Sequence, residues 1–142
     1  CVGQAGGRTA VTPERVAINL MDARIPDNTG YQPIDEPIAP DGPAAYFSTL
    51  PVKAIAERIQ SAGLPAVVSN TAGTYVCNNL LYTLLHTAAL EYPGLRGGFL
   101  HVPYAIEQLP GKPGDTFGMK LCDIARALTC AVEAIAEHLL ER

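Results

Sequence analysis

Apolar positions along the chain change period repeatedly, and the changes predict strands alternating with helices. Arg15 to Leu20, Asp22 to Ile25, Pro65 to Ser69 and Gly98 to Val102 read as short extended segments. Val52, Ile55, Ala56 and Ile59 form a helical stripe. Ser48 or Thr49 is its expected N-cap, Pro51 suits its first turn and Gly63 its end. A second helix is predicted over Asn78 to Leu90, closed by Pro93-Gly94. A third is predicted over Thr116 to Leu140, with core positions Leu121, Ile124, Leu128, Val132, Ile135 and Leu139. Pro26 to Pro43 and Ile106 to Asp115 carry the Pro, Gly and polar residues of loops, and the length of the first marks it as functional or mobile.

This order predicts an α/β protein: a three-layer α/β/α sandwich with helices on both faces of a largely parallel, mixed sheet. Sites in such sheets collect at the carboxyl ends of strands. Composition agrees with one globular domain over residues 1–142, since 48% of the chain is hydrophobic and the mean hydropathy is +0.13. The net charge is −4 and the ten basic residues are scattered, which argues against a nucleic-acid partner. No apolar run has the length of a membrane span.

Candidate chemistry is concentrated in the run Ser69 to Asn79, SNTAGTYVCNN. An apolar strand ends there in a small polar turn, and Cys77 opens an apolar helix. A helix start favours the thiolate and offers backbone N–H groups to a forming oxyanion. The alternative is a cysteine that packs as a small buried hydrophobe. His101 ends a second strand, in GGFLHVPYAIEQ, and Glu14 precedes a third, in TPERVAIN. Cysteine, histidine and carboxylate at strand ends are the parts of a nucleophile–base–orienter triad. Each also has a plainer reading, as a solvated glutamate or a satisfied core histidine.

The other cysteines, Cys1, Cys122 and Cys130, add no pair of metal-ligand spacing, and there is no HExxH motif, so neither metal nor cofactor is expected. Cys122 and Cys130 lie about 12 Å apart on one predicted helix, too far to bridge each other. Packing residues are their simplest reading, a cross-chain disulfide the less favoured one. Reduced thiols fit a cytoplasmic protein.

Several stretches together resemble the pyroglutamyl peptidase I family, cysteine peptidases of the C15 type. They are CVGQAGGRT (Cys1 to Thr9), ERVAIN (Glu14 to Asn19), DARIPDNTG (Asp22 to Gly30), GPAAYFSTLPVKA (Gly42 to Ala54), SNTAGTYVCN (Ser69 to Asn78) and GGFLHVPY (Gly97 to Tyr104). The resemblance implies removal of N-terminal pyroglutamate from peptides by a triad of Glu14, Cys77 and His101. It implies that Arg24, in the DAR motif, lies near the site as oxyanion stabiliser or loop anchor, with a surface ion pair as the alternative. Ile25, Tyr75 and Val76 are expected to form apolar pocket wall. Gln4 follows a strand, and its amide suits a lactam with one N–H and one C=O.

Family members begin with a strand and a loop carrying a GFEPFGG-like motif, which this sequence does not contain. The chain is therefore read as a domain lacking its N-terminal part. Two other functions stay open: an inactive fragment that keeps the triad residues without a complete pocket, and an amidase of the same fold acting on another small lactam or amide. Homo-oligomerisation is also left open.

Overall fold

The computed structural model describes residues 1–140. It has the α/β architecture expected. The elements are β1 (Val2–Gln4), β2 (Thr12–Pro13), β3 (Val16–Ile18), β4 (Ala45–Phe47), α1 (Val52–Ser61), α2 (Val76–Glu91), β5 (Leu100–Val102), β6 (Tyr104–Ala105), β7 (Gly118–Met119) and α3 (Leu121–Leu140), with a 3₁₀ turn over Ile106–Gln108.

β5 is the centre of the sheet. It pairs parallel with β1, Gly3 opposite His101, and antiparallel with β2, Thr12 opposite His101. Beyond β2 the extended segment 65–69 runs parallel, bridging at Val11–Ala66 and Glu14–Ser69. Val11 and Val67 N–H groups donate to Pro65 and Val11 carbonyls, and Ser69 and Arg15 N–H groups to Pro13 and Ser69 carbonyls. The predicted strand Pro65–Ser69 is thus extended, but its pairing is limited to two bridges.

Alternation along the centre of the sheet separates two apolar clusters. Leu100 and Val102 face one side, where α1 and α3 pack through Ile55, Ile59, Ile124, Ala127 and Ala131. Phe99 faces the other side, where α2 packs through Leu81, Tyr82 and Leu85 together with Ala17 of β3. This is the three-layer arrangement, with α2 alone on the face that carries the candidate site.

Several local expectations are corrected. Neither Ser48 nor Thr49 caps α1: Pro51 takes the N-cap position without a side-chain bond. Ser48 Oγ instead accepts from Leu50 N–H, and Thr49 Oγ1 accepts from Gly97 N–H at 2.7 Å, tying α1 to the approach to β5. Gly63, at φ +76°, ends the helix as expected. Asp22 to Ile25 forms no strand. Asp22 N–H donates to Thr74 O, so this stretch lies against the loop before α2. A strand absent from the sequence reading, β4, pairs antiparallel with β3 and covers its edge.

The third helix begins at Leu121, not Thr116, because Gly118 and Met119 are drawn into a parallel pair with β6. Its buried face is also rotated from the predicted one. Ile124, Ala127, Cys130, Ala131 and Ala134 are buried, while Leu121, Val132 and Leu139 are exposed and Leu128 and Ile135 sit at the edge of the core. Small residues on this face let α1 and α3 approach closely, and Arg58 of α1 bridges Glu133 and Glu137 across the outside of the contact.

Candidate active site

Glu14 and His101 form the buried heart of the site. Glu14 Oε1 accepts from His101 Nδ1 at 2.7 Å, although the residues lie 87 positions apart. Glu14 is fully buried and His101 is 3% exposed. The backbone accounts for the encounter: Glu14 N–H donates to Phe99 O at 2.8 Å, which places the carboxylate beside the strand that bears the imidazole. His101 also packs against the Phe99 ring, 4.8 Å between centroids, on the α2 side of the sheet.

Cys77 approaches the same face from above. It is the second residue of α2, half-buried against the Phe99 cluster. Its position is fixed through Gly3, the strand neighbour of His101. A Cβ built on Gly3 would lie 3.5 Å from Cys77 Sγ and 2.6 Å from Phe99 Cζ. Only a glycine leaves room there, and the sulfur therefore lies over the strand adjoining His101 on the imidazole's side of the sheet.

Asn78 pins the first turn of α2. It is 1% exposed. Its Nδ2 donates to Ile18 O and Leu20 O at 2.9 and 3.0 Å, and its Oδ1 accepts from Ile18 N–H at 2.9 Å. Tyr75 takes the N-cap with extended backbone and no side-chain cap, and Asn79 N–H makes the first bond back to Tyr75 O. The amides of Cys77 and Asn78 thus stand outside the helical ladder, as donors do at a helix start.

Burial pushes the Cys77 thiol up, the Glu14 charge adds to the rise, and the Arg8 guanidinium opposes it. The net direction is opposite to the one a helix start alone would give. Partial burial and a neighbouring carboxylate both favour the neutral thiol over the thiolate.

A cavity of about 760 Å³ opens in front of the sulfur, lined by Asp22, Arg24, Ile25, Thr74, Tyr75 and Cys77 among others. Val76 lines it too. Four of the five expected pocket residues, Arg24, Ile25, Tyr75 and Val76, therefore share one cavity with Cys77. Gln4 is outside that lining. It sits at the carboxyl end of β1, and its Nε2 donates to Gln108 Oε1 at 2.5 Å. Arg8, which the sequence reading did not single out, donates to Glu14 Oε1 at 3.1 Å. Its only sequence signal is a cation in a glycine turn six positions before the carboxylate. Among the described residues no group of three or more His, Cys, Asp or Glu side chains could hold a metal ion.

By architecture the chain falls among three-layer α/β proteins that gather a thiol, an imidazole and a carboxylate on one face of the sheet. Within that class it belongs to the pyroglutamyl peptidase family, whose sequence model matches residues 1–138. It is 59% identical over 138 residues to a pyrrolidone-carboxylate peptidase of Streptococcus pneumoniae, covering 97% of this chain and 64% of the relative. It is 58% identical over 134 residues to the enzyme of that name from Levilactobacillus brevis, covering 94% of this chain and 65% of the relative. Among solved structures, pyroglutamyl peptidase I of Bacillus amyloliquefaciens superposes with a TM-score of 0.92 at 52% identity, covering 96% of this chain and 64% of that one. Pyrrolidone carboxyl peptidase of Thermococcus litoralis gives 0.94 at 42% identity, covering 99% and 66%. The chain thus spans a little under two thirds of the length of the curated relatives it matches.

Proposed function

We propose that the chain carries the catalytic centre of a pyroglutamyl peptidase, a cysteine exopeptidase that removes N-terminal pyroglutamate from peptides. The observation that carries this reading is the buried Glu14–His101 hydrogen bond on the sheet face over which Cys77 lies. With Nδ1–H given to Glu14, the imidazole keeps Nε2 as its basic nitrogen, and the carboxylate stabilises the ring when it becomes charged.

In this reading Cys77 Sγ attacks the amide carbonyl that follows the lactam ring, and its proton passes to His101. The carbonyl oxygen takes up the negative charge, facing the free amides at the start of α2, with Arg24 as a further donor in the cavity. Collapse of this intermediate breaks the C–N bond, and the departing amine takes the proton from the imidazolium. Water then gives a proton to His101 and attacks the thioester. Pyroglutamate leaves, and the thiol recovers its proton.

Ile25, Tyr75 and Val76 supply apolar wall for the lactam ring. Gln4 would serve it only with the amide atoms that Gln108 leaves free. Residues 1–142 act in this reading as part of one catalytic domain, with pyroglutamyl peptides as partners. Four free cysteines suit the reducing cytoplasm. No helix among the described residues is long and apolar enough to cross a membrane.

The test is hydrolysis of a pyroglutamyl-linked chromogenic amide by this chain and by a form extended to the length of its relatives. In whichever form turns over, Cys77→Ser should lower the rate about a thousandfold or more. Cys122→Ser and Cys130→Ser should leave it within a few-fold. Turnover of Cys77→Ser within about tenfold of the parent would remove the thiol from the mechanism.

A further inference from the structure

The reaction as written leaves Arg8 without a task, yet its guanidinium reaches the core of the site. Its side chain is 29% exposed, while the Glu14 side chain it meets is fully buried. One nitrogen, Nη2, donates both to Glu14 Oε1 and to Thr71 O, each at 3.1 Å. Oε1 thus carries both donors of the carboxylate, Arg8 and His101, while Oε2 has no partner among the described residues. Thr71 belongs to the loop that delivers Cys77. Ser69 Oγ donates to the same carbonyl at 3.0 Å and accepts from Thr71 N–H.

A carboxylate removed from water needs charged or strongly donating partners, and a guanidinium still partly in solvent supplies one at small desolvation cost of its own. The other ionisable groups around the pair come from separate elements: His101 from β5, Cys77 from α2, and Asp22, Arg24 and Tyr75 from the cavity wall. None of the last three hydrogen-bonds to Arg8 or Glu14. Arg8 is therefore the cation that directly contacts the Glu14 carboxylate, and it also touches the loop leading to the nucleophile.

We propose that Arg8 is a positioning residue of this site, balancing the charge of Glu14 from behind and fixing the Ser69–Tyr75 loop against it, so that thiol, imidazole and carboxylate are held as one unit. The guanidinium also opposes the rise of the Cys77 thiol, which gives the assignment a readout that a merely structural arginine would not move.

The inference rests on the peptidase reading, but its main measurement does not need turnover. Iodoacetamide labelling of Cys77, followed by mass mapping against pH, reports the protonation of the thiol directly. In Arg8→Met and Arg8→Gln the labelling midpoint should move up by about half a pH unit or more, since a cation near the thiol is lost. Arg8→Lys should recover most of the shift. The acid limb of kcat/KM for a pyroglutamyl amide should move in the same direction. An unchanged midpoint in folded neutral variants overturns the assignment. So does loss of cooperative folding in both neutral variants, which would make Arg8 a scaffold residue. If the parent labels as expected but hydrolyses no pyroglutamyl amide in either length, the peptidase reading fails while the role of Arg8 beside the thiol stands.

Discussion

Asn78 offers the sharpest test of how Cys77 is held. Its amide makes three hydrogen bonds to the last residue of β3 and the turn after it, all at 2.9–3.0 Å, from a side chain that is itself buried. Asn78→Ala removes them together. Ile18 O would keep the Leu20 N–H that it already accepts, so the groups left bare are Ile18 N–H and Leu20 O. At about 1 kcal/mol net for each bond, the loss is about 3 kcal/mol, before any cost for the cavity. A domain of ordinary stability has about 5–15 kcal/mol in all, so this is a large share. Asn78→Asp separates shape from chemistry. It is nearly isosteric and still accepts from Ile18 N–H, but it presents a carboxylate oxygen to two carbonyls and should be no better than alanine. Urea unfolding gives the free energies, and the labelling rate of Cys77 reports whether the first turn of α2 has moved. An Asn78→Ala variant within about 1 kcal/mol of the parent, with unchanged thiol reactivity, would refute the claim that this side chain anchors the turn that carries Cys77.

Two further outcomes follow from packing and from the thiol. Ala127→Leu would overfill the close contact of α1 with α3 and should cost about 1–3 kcal/mol, whereas Val132→Lys on the exposed face should change the urea midpoint little; equal effects of the two would contradict the observed face of α3. The folded state holds the Cys77 proton more tightly than the unfolded chain does, because the thiol is pushed up. Its contribution to stability is therefore complete below the ordinary thiol range and is lost as pH rises through the raised value. Urea midpoints of the parent should fall from about pH 8.5 upward more steeply than those of Cys77→Ala, and parallel curves would argue against the shift.

The layered fold was legible where local patterns and tertiary packing agree. The stripe Ile55, Ala56 and Ile59 is the buried face of α1, and Gly63 ends it in the left-handed conformation that favours glycine. The pattern misled in α3 because it ranked positions by hydrophobicity. The true face is chosen by closeness of approach, which favours Ala127, Ala131 and Ala134 over Val132 and Leu139. The short strands β4, β6 and β7 were not legible, since two or three residues carry no period and their pairing is decided by distant partners. The start of α3 was misplaced for the same reason: Gly118 and Met119 are extended only because β6 is there to pair with them.

The site divides along a similar line. Glu14, Cys77 and His101 could be named from their placement at element ends and from the family motifs around them, and the Glu14–His101 bond and the common sheet face are consistent with that naming. The supporting residues could not be named, because their partners are backbone atoms far away in sequence. Asn78 holds the carbonyls of Ile18 and Leu20, Arg8 holds that of Thr71, and Gly3 works by having no side chain at all. A motif shows which residue types are present but not which carbonyl each one will find. The protonation of the thiol belongs to the same class of property. A helix start argues for thiolate when read alone, but the sum at Cys77 includes burial and the charge of a carboxylate reached only through the fold. In the proposed reaction this gives the Glu14–His101 pair the task of taking the Cys77 proton.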